Sequence, residues 1–116
     1  MSRINFFLTV VAIFLLSGCG NEPKPMYYWS DYQGKMYSYL KDGGEDAEKR
    51  IAEMEKLAEE SKAKNLPLAP GFNAHLGLLN LKAGHDEKFR FYLEEEKRLF
   101  PESSSYISFL LKKYNK

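Results

Sequence analysis

Between Glu45 and Lys64, Ala47, Ile51, Met54, Ala58 and Ser61 recur at spacings of four, three, four and three. That is the period of an α-helix with one buried face, not the two-residue period of a strand. Leu57 widens the stripe, and most of the remaining positions are charged. Glu45–Lys49, Asp46–Arg50 and Glu60–Lys64 stand four residues apart and are expected to pair along the helix, each adding about 0.2–0.5 kcal/mol. A helix of this kind is marginal alone in water and needs a partner for its apolar stripe. No segment shows sustained period-two alternation, so the chain reads as all-α with strand content near zero.

The partners are legible on either side. Ser30 followed by Gln33 has the form of a capping box and predicts a short helix through about Lys41. Met36, Tyr39 and Leu40 would share its inner face, with Tyr32 a turn earlier; Gly43-Gly44 ends it. Gly34 weakens this helix by up to about 1 kcal/mol relative to alanine. Asn65 to Pro70 is a connector, because proline at 67 and 70 stops one helix and starts the next. A third helix follows from Pro70-Gly71 to about Ala83. Phe72, Leu76, Leu79 and Ala83 form its main stripe, and Leu78 with Leu81 make it apolar on a second side, which predicts a central position. Gly84 suits the position after that helix and Asp86 the cap of the next. The fourth helix runs to about Phe100 with Phe89, Tyr92, Leu93 and Leu99 or Phe100 inward, and Pro101 ends it. Ser103 or Ser104 caps a last helix in which Ile107, Leu110, Leu111 and Tyr114 share a face. The expectation is a small array of about five helices over residues 27–116.

The third and fourth helices resemble one tetratricopeptide repeat. With Gly77 at the repeat's eighth position, Leu76 takes the preceding leucine, Gly84 the turn between helices and Pro101 position thirty-two. A small residue at 77 would let two helices approach closely. Asn73, Phe89 and Glu96 depart from the pattern, where an aromatic and two alanines are usual. The first two helices keep the hairpin order without the motif's register.

The start of the chain is of a different kind. Arg3 supplies a positive charge, Ile4 to Leu16 is apolar apart from Asn5 and Thr9, and small residues lead to the chain's one cysteine, Cys19. That is the layout of a secretory signal peptide. The run is about a dozen residues, too short for a spanning helix, which needs roughly 20. Leu16-Ser17-Gly18-Cys19 resembles a lipobox, which implies cleavage after residue 18, lipidation of Cys19, and acylation of its new amino terminus. Residues 1–18 are then the signal peptide and 19–26, with two prolines, a lipidated tether. Several acyl chains together give stable anchoring where one does not. Gly20 stands where aspartate would favour inner-membrane retention in that family, which leans the expected address to the outer membrane, periplasmic face.

Residues 19–116 carry 16 basic and 16 acidic side chains, a balance that speaks against nucleic acid as a partner. The charge is unevenly placed: Asp42 to Glu60 holds eight acids against three bases, and Ser103 to Lys116 three lysines and no acid. A chain with one cysteine forms no internal disulfide, so the fold must stand on packing. Catalytic inventory is thin. His75 sits mid-helix and His85 in a turn, and neither belongs to a zinc-binding pattern; both read as structural, with His75 partly exposed. His85-Asp86 alone does not make a metal-dependent phosphohydrolase. Glu94-Glu95-Glu96 cannot share one site, because successive helix residues point about 100° apart. Only Glu96 lies near the inward stripe. No nucleophile elbow, phosphate loop or Ser-His-Asp order is present. The reading is a non-enzyme with no catalytic residue, no metal and no cofactor.

The aromatic residues carry the positive signal. Tyr27, Tyr28, Trp29, Tyr32, Tyr37 and Tyr39 fall within thirteen residues, more than one short helix buries on one face. Two or three are expected at the surface, where Tyr28, Trp29, Tyr32, Tyr37 and Tyr39 are the candidates for contacting a protein partner or the lipid interface. The order of motifs is also similar to that of a family of small Gram-negative lipoproteins of unknown function. The features are Tyr27-Tyr28-Trp29, then Tyr37-Ser38-Tyr39-Leu40, Pro70-Gly71 before Ala74-His75-Leu76-Gly77, and Glu96-Lys97-Arg98-Leu99-Phe100-Pro101-Glu102-Ser103. Members of that family are often encoded beside a lipoprotein like the curli secretion pore-former. The resemblance implies a lipid-anchored adaptor with an envelope lipoprotein as partner. The alternative is a small-molecule or peptidoglycan binder using an aromatic cleft.

Overall fold

The structure is a computed structural model and describes residues 2–16, 20, 22–43 and 45–114. It is all-helical: α1 (Ser2–Leu16), α2 (Tyr32–Asp42), α3 (Ala47–Ala63), α4 (Phe72–Lys82), α5 (Asp86–Leu99) and α6 (Ser104–Tyr114), with a 3-10 turn at Pro101–Ser103. Among the described residues no strand forms, and the one strand-like feature is an isolated parallel bridge between Tyr28 and Leu68. Ser17, Gly18 and Cys19, and Gly44 at the predicted end of α2, lie outside the described residues.

The apolar side chains of α1 from Ile4 to Ile13 are exposed and belong to neither core cluster. No described helix is long and apolar enough to cross a membrane. The fold therefore rests on α2 to α6, the array of five that the sequence predicts.

Helix α4 lies at the centre, as its two apolar sides require. Phe72, Leu76 and Leu79 pack with Tyr28, Tyr32, Ile51, Met54, Leu57 and Ala69 in one cluster. Ala74, Leu78 and Leu81 turn the other way, against Phe89, Leu93, Ile107 and Leu110. Burial of each large apolar side chain contributes about 1.5–3 kcal/mol, so neither half of the array holds its shape without α4. At Gly77, α4 and α5 approach closely. A methyl group placed there would lie 3.2 Å from the Phe89 carbonyl oxygen and 3.2 Å from Leu93 Cδ2.

Several local expectations are corrected. The Ser30 capping box does not form: Ser30 has φ of 38° and Asp31 occupies the N-cap of α2, which leaves Gln33 at the second helical position instead of the third. On α2 the inner face is Tyr32, Met36 and Tyr39, spaced four and three, and Leu40 falls one position past it into solvent. Asp86 is the first helical residue of α5 and His85 its N-cap. Arg50 does not lie along α3 toward Asp46. Its guanidinium crosses to α2, pairing with Asp42 and donating to Ser38 Oγ at 3.4 Å, while its Nε donates to the Glu45 carbonyl at 3.0 Å. Lys35 likewise bridges α2 to α3 through Glu53 at 3.0 Å. Cross-helix partners win because α2 places its polar residues over the charged flank of α3. Between Leu99 and Phe100, Phe100 is the half-buried one and Leu99 is exposed.

Candidate functional site

The N-terminal aromatic segment is fixed by the connector between α3 and α4. The Tyr28 N–H donates to the Pro67 carbonyl at 2.7 Å, and its hydroxyl donates to Glu60 Oε2 at 2.7 Å. The Lys64 ammonium stands 5.1 Å from the centre of the Tyr28 ring. A segment lacking regular structure gains a defined position this way, because its backbone is anchored to the connector and its phenol to the end of α3. The Trp29 carbonyl then accepts the Tyr32 N–H at 2.8 Å and starts α2.

The five candidate aromatic residues divide into three groups. Tyr28 and Tyr32 are core residues and present little ring to a partner. Tyr32 lies between Trp29, stacked at 6.2 Å and 28°, and Phe72 at 5.2 Å. Its hydroxyl is pushed up to about 12 by burial first and by the nearby Glu96 charge second. Tyr39 is half-buried and sets its edge on His75 at 4.6 Å and 77°. The exposed pair is Trp29 and Tyr37, the latter with 69 % of its surface free. Leu40, one turn on from Tyr37 and 72 % free, was read as inward from the sequence and is the surface residue that reading missed. The signal was present in the spacing: a face built on 32, 36 and 39 leaves 37 and 40 together on the outside.

A second surface lies where the chain enters the domain. The Tyr27 ring meets Trp29 edge-on at 6.4 Å and Phe100 at 6.0 Å, joining the first described loop to the end of α5. Exposed Met26 and exposed Leu99 are the sequence neighbours of this shelf.

The titratable residues inside the domain are buried or paired with neighbouring helices. His75 is buried, with 4 % of its surface exposed, where a partly exposed histidine was expected. It faces Tyr32 and Tyr39, and burial together with the Arg50 charge pulls it down to about 4, so it is neutral at pH 7. His85 sets Nδ1 3.2 Å from Asn80 Oδ1 and Nε2 3.1 Å from Glu48 Oε1, tying the α4–α5 turn to α3. Glu94 and Glu95 pair with Lys97 and Arg98 on the outer face of α5. Glu96 is 3 % exposed and its Oε1 accepts the Gly71 N–H at 2.6 Å. The Asn73 and Ala74 N–H groups also favour its charged form, yet burial outweighs them and raises its pKa. Among the described residues no group of three or more His, Cys, Asp or Glu is placed to hold a metal ion.

Two surface grooves are not lined by the candidate aromatic side chains. One, between α2 and α3, is lined by charged residues that include Lys35, Asp42, Arg50 and Glu53. Another, between α3 and α5, has Leu68, Leu76, Tyr92 and Leu99 in its walls. Trp29 lines neither, and one face of its indole is taken by Tyr32.

Over residues 26–110 the chain matches the family described as Domain of unknown function (DUF4810). The motif resemblance is thereby met at the level of a family of unknown function. No curated protein and no solved structure gives a match.

Proposed function

The chain belongs to the DUF4810 family, and within it we propose a non-catalytic interaction module, held to a membrane by lipid on Cys19 and facing the periplasm, most simply from the outer membrane. The observation that carries the reading is the pair Tyr37 and Leu40. Both are more than two-thirds exposed, and they sit one turn apart on the outer face of a helix whose inner face is packed. Exposed aromatic and aliphatic side chains on a rigid element are the usual anchors of a protein interface. Cross-helix pairs through Lys35 and Arg50 hold α2 in place, so its outer face costs little entropy to bind. The exposed apolar α1, which adds nothing to either core cluster, suits a segment that is removed. The close α4–α5 hairpin about Gly77 supports reading the array as repeat-like. The partner in this reading is another envelope lipoprotein.

Affinity capture of the lipidated protein from detergent-solubilised membranes tests it. Tyr37→Ala/Leu40→Ala is expected to lose the captured lipoprotein while helical circular dichroism stays unchanged. Capture that survives the double substitution ends this assignment of the surface. Cys19→Ser tests the anchor separately: it is expected to shift the protein from the envelope fraction to the soluble periplasm.

A further inference from the structure

We infer that the shelf of Tyr27, Trp29 and Phe100, with exposed Met26 and Leu99 beside it, rests on the lipid surface to which the chain is anchored. The inference rests on the lipidation of Cys19 proposed above. Three observations carry it.

The first is reach. Six residues, 20–25, separate Cys19 from Met26, and even a fully extended chain puts no more than about 25 Å between the two. Pro23 and Pro25 keep that stretch extended without giving it length to spare. The shelf is therefore confined to a shell next to the headgroups, at an effective concentration in the millimolar range for a short linker, so a weak contact is enough to be populated.

The second is chemistry. Tryptophan and tyrosine favour the boundary between acyl chains and water, because each has an apolar ring and one polar tip. Trp29 and Tyr27 supply those rings, and Met26 and Leu99 supply purely apolar surface next to them.

The third is area. Each aromatic side chain has about 150–250 Å² to bury in all, and the core already takes part of Tyr27 and Phe100. What is left of three such rings falls short of the roughly 800 Å² that each partner buries in an interface of standard size. A bilayer surface needs no such complementary area.

Trp29 is the chain's only tryptophan, so its fluorescence reports on the shelf alone. The lipidated protein, reconstituted into phosphatidylethanolamine–phosphatidylglycerol vesicles, is expected to show blue-shifted emission, protection from iodide and at least about twofold quenching when the acyl chains are brominated. Flotation separates the two ideas. Protein that floats with the vesicles but keeps an iodide-accessible, unquenched Trp29 overturns the shelf and leaves the anchor standing. Protein that fails to float overturns the anchor reading, and the shelf with it. Met26→Asp changes a side chain that is 74 % exposed and is expected to keep the fold and flotation while abolishing most of the quenching. Quenching unchanged in that variant would mean that Trp29 meets lipid by another face, which also overturns the proposal.

Discussion

Glu96 caps a helix to which it does not belong: from the last turn of α5 its Oε1 accepts the Gly71 N–H, 2.6 Å away at the start of α4. Gly71 has φ of 89° and no side chain, so α4 lacks the serine, threonine or aspartate that ordinarily answers its first N–H groups. The carboxylate of the neighbouring helix takes that place, and the positive end of the α4 dipole favours it there. A single side chain thus ties the start of α4 to the end of α5.

Removing that side chain leaves buried N–H groups unpaired and a void between two helices. Glu96→Ala is expected to cost about 2–4 kcal/mol, and Glu96→Gln, which keeps an acceptor oxygen, clearly less. Urea denaturation followed by circular dichroism reads both. An alanine variant as stable as the parent would show that the cap carries no weight.

The pH dependence has two opposed contributors. His75 is held at about 4 in the folded protein against 6.5 when solvated. Below pH 6.5 the unfolded chain takes up a proton that the folded chain does not, so this residue's contribution falls as pH falls, by about 2 kcal/mol between pH 7.5 and 5. Glu96 acts in the other direction. Its folded pKa is raised, so the folded state holds the proton more tightly, and its contribution is largest at low pH and is lost as pH rises through the folded value. His75→Gln is expected to remove the acid-side loss, so that its urea midpoint at pH 5 gains on the parent's relative to pH 7.5. Parallel pH profiles for the two proteins would contradict the neutral, buried histidine.

Most of the fold was legible because α3, α4 and α5 carry long periodic stripes bounded by proline or glycine. What escaped was set by contacts between helices. Nothing local marks His75 as buried; it is covered because Tyr32 and Tyr39 close over it from α2. The Ser30-to-Gln33 pattern was overruled by the docking of Tyr28 and Trp29, which fixes the backbone just before α2. Glu96 was legible as a departure from the repeat pattern near the inward stripe, but its role required knowing that α4 begins on a glycine. At the candidate site, Tyr37 and Trp29 were identified by composition, whereas Leu40 depended on which side of α2 faced inward.

The docked N-terminal segment predicts a local rather than global effect for Tyr28→Phe. That change deletes the hydroxyl donated to Glu60 and keeps the ring under Lys64. A cost of about 1 kcal/mol is expected, since the carboxylate is half-exposed and regains water. The Tyr28 amide, bonded to Pro67, should exchange faster with solvent while amides of α4 keep their protection. Equal acceleration across α4 would show that the segment and the helices open as one unit.

Gly77 offers the sharpest test of the helix approach. Alanine intrinsically favours a helix over glycine by about 1 kcal/mol, so on an open helix any larger residue except proline at 77 would be neutral or stabilising. Here a Cβ would lie 3.2 Å from the Phe89 carbonyl, which is backbone and yields only if α5 moves. Moving α5 drags Phe89 and Leu93 off Ile107 and Leu110 and pulls the Glu96 carboxylate from Gly71. Gly77→Val, with two further methyl groups in that gap, is expected to lose about 2 kcal/mol or more in urea denaturation. It should also lose part of the Glu96 effect: Glu96→Ala ought to cost less in the Gly77→Val background than in the parent, because the cap is already displaced. Additive losses would mean that the close approach and the cap are independent, and that α5 tolerates the added volume without shifting.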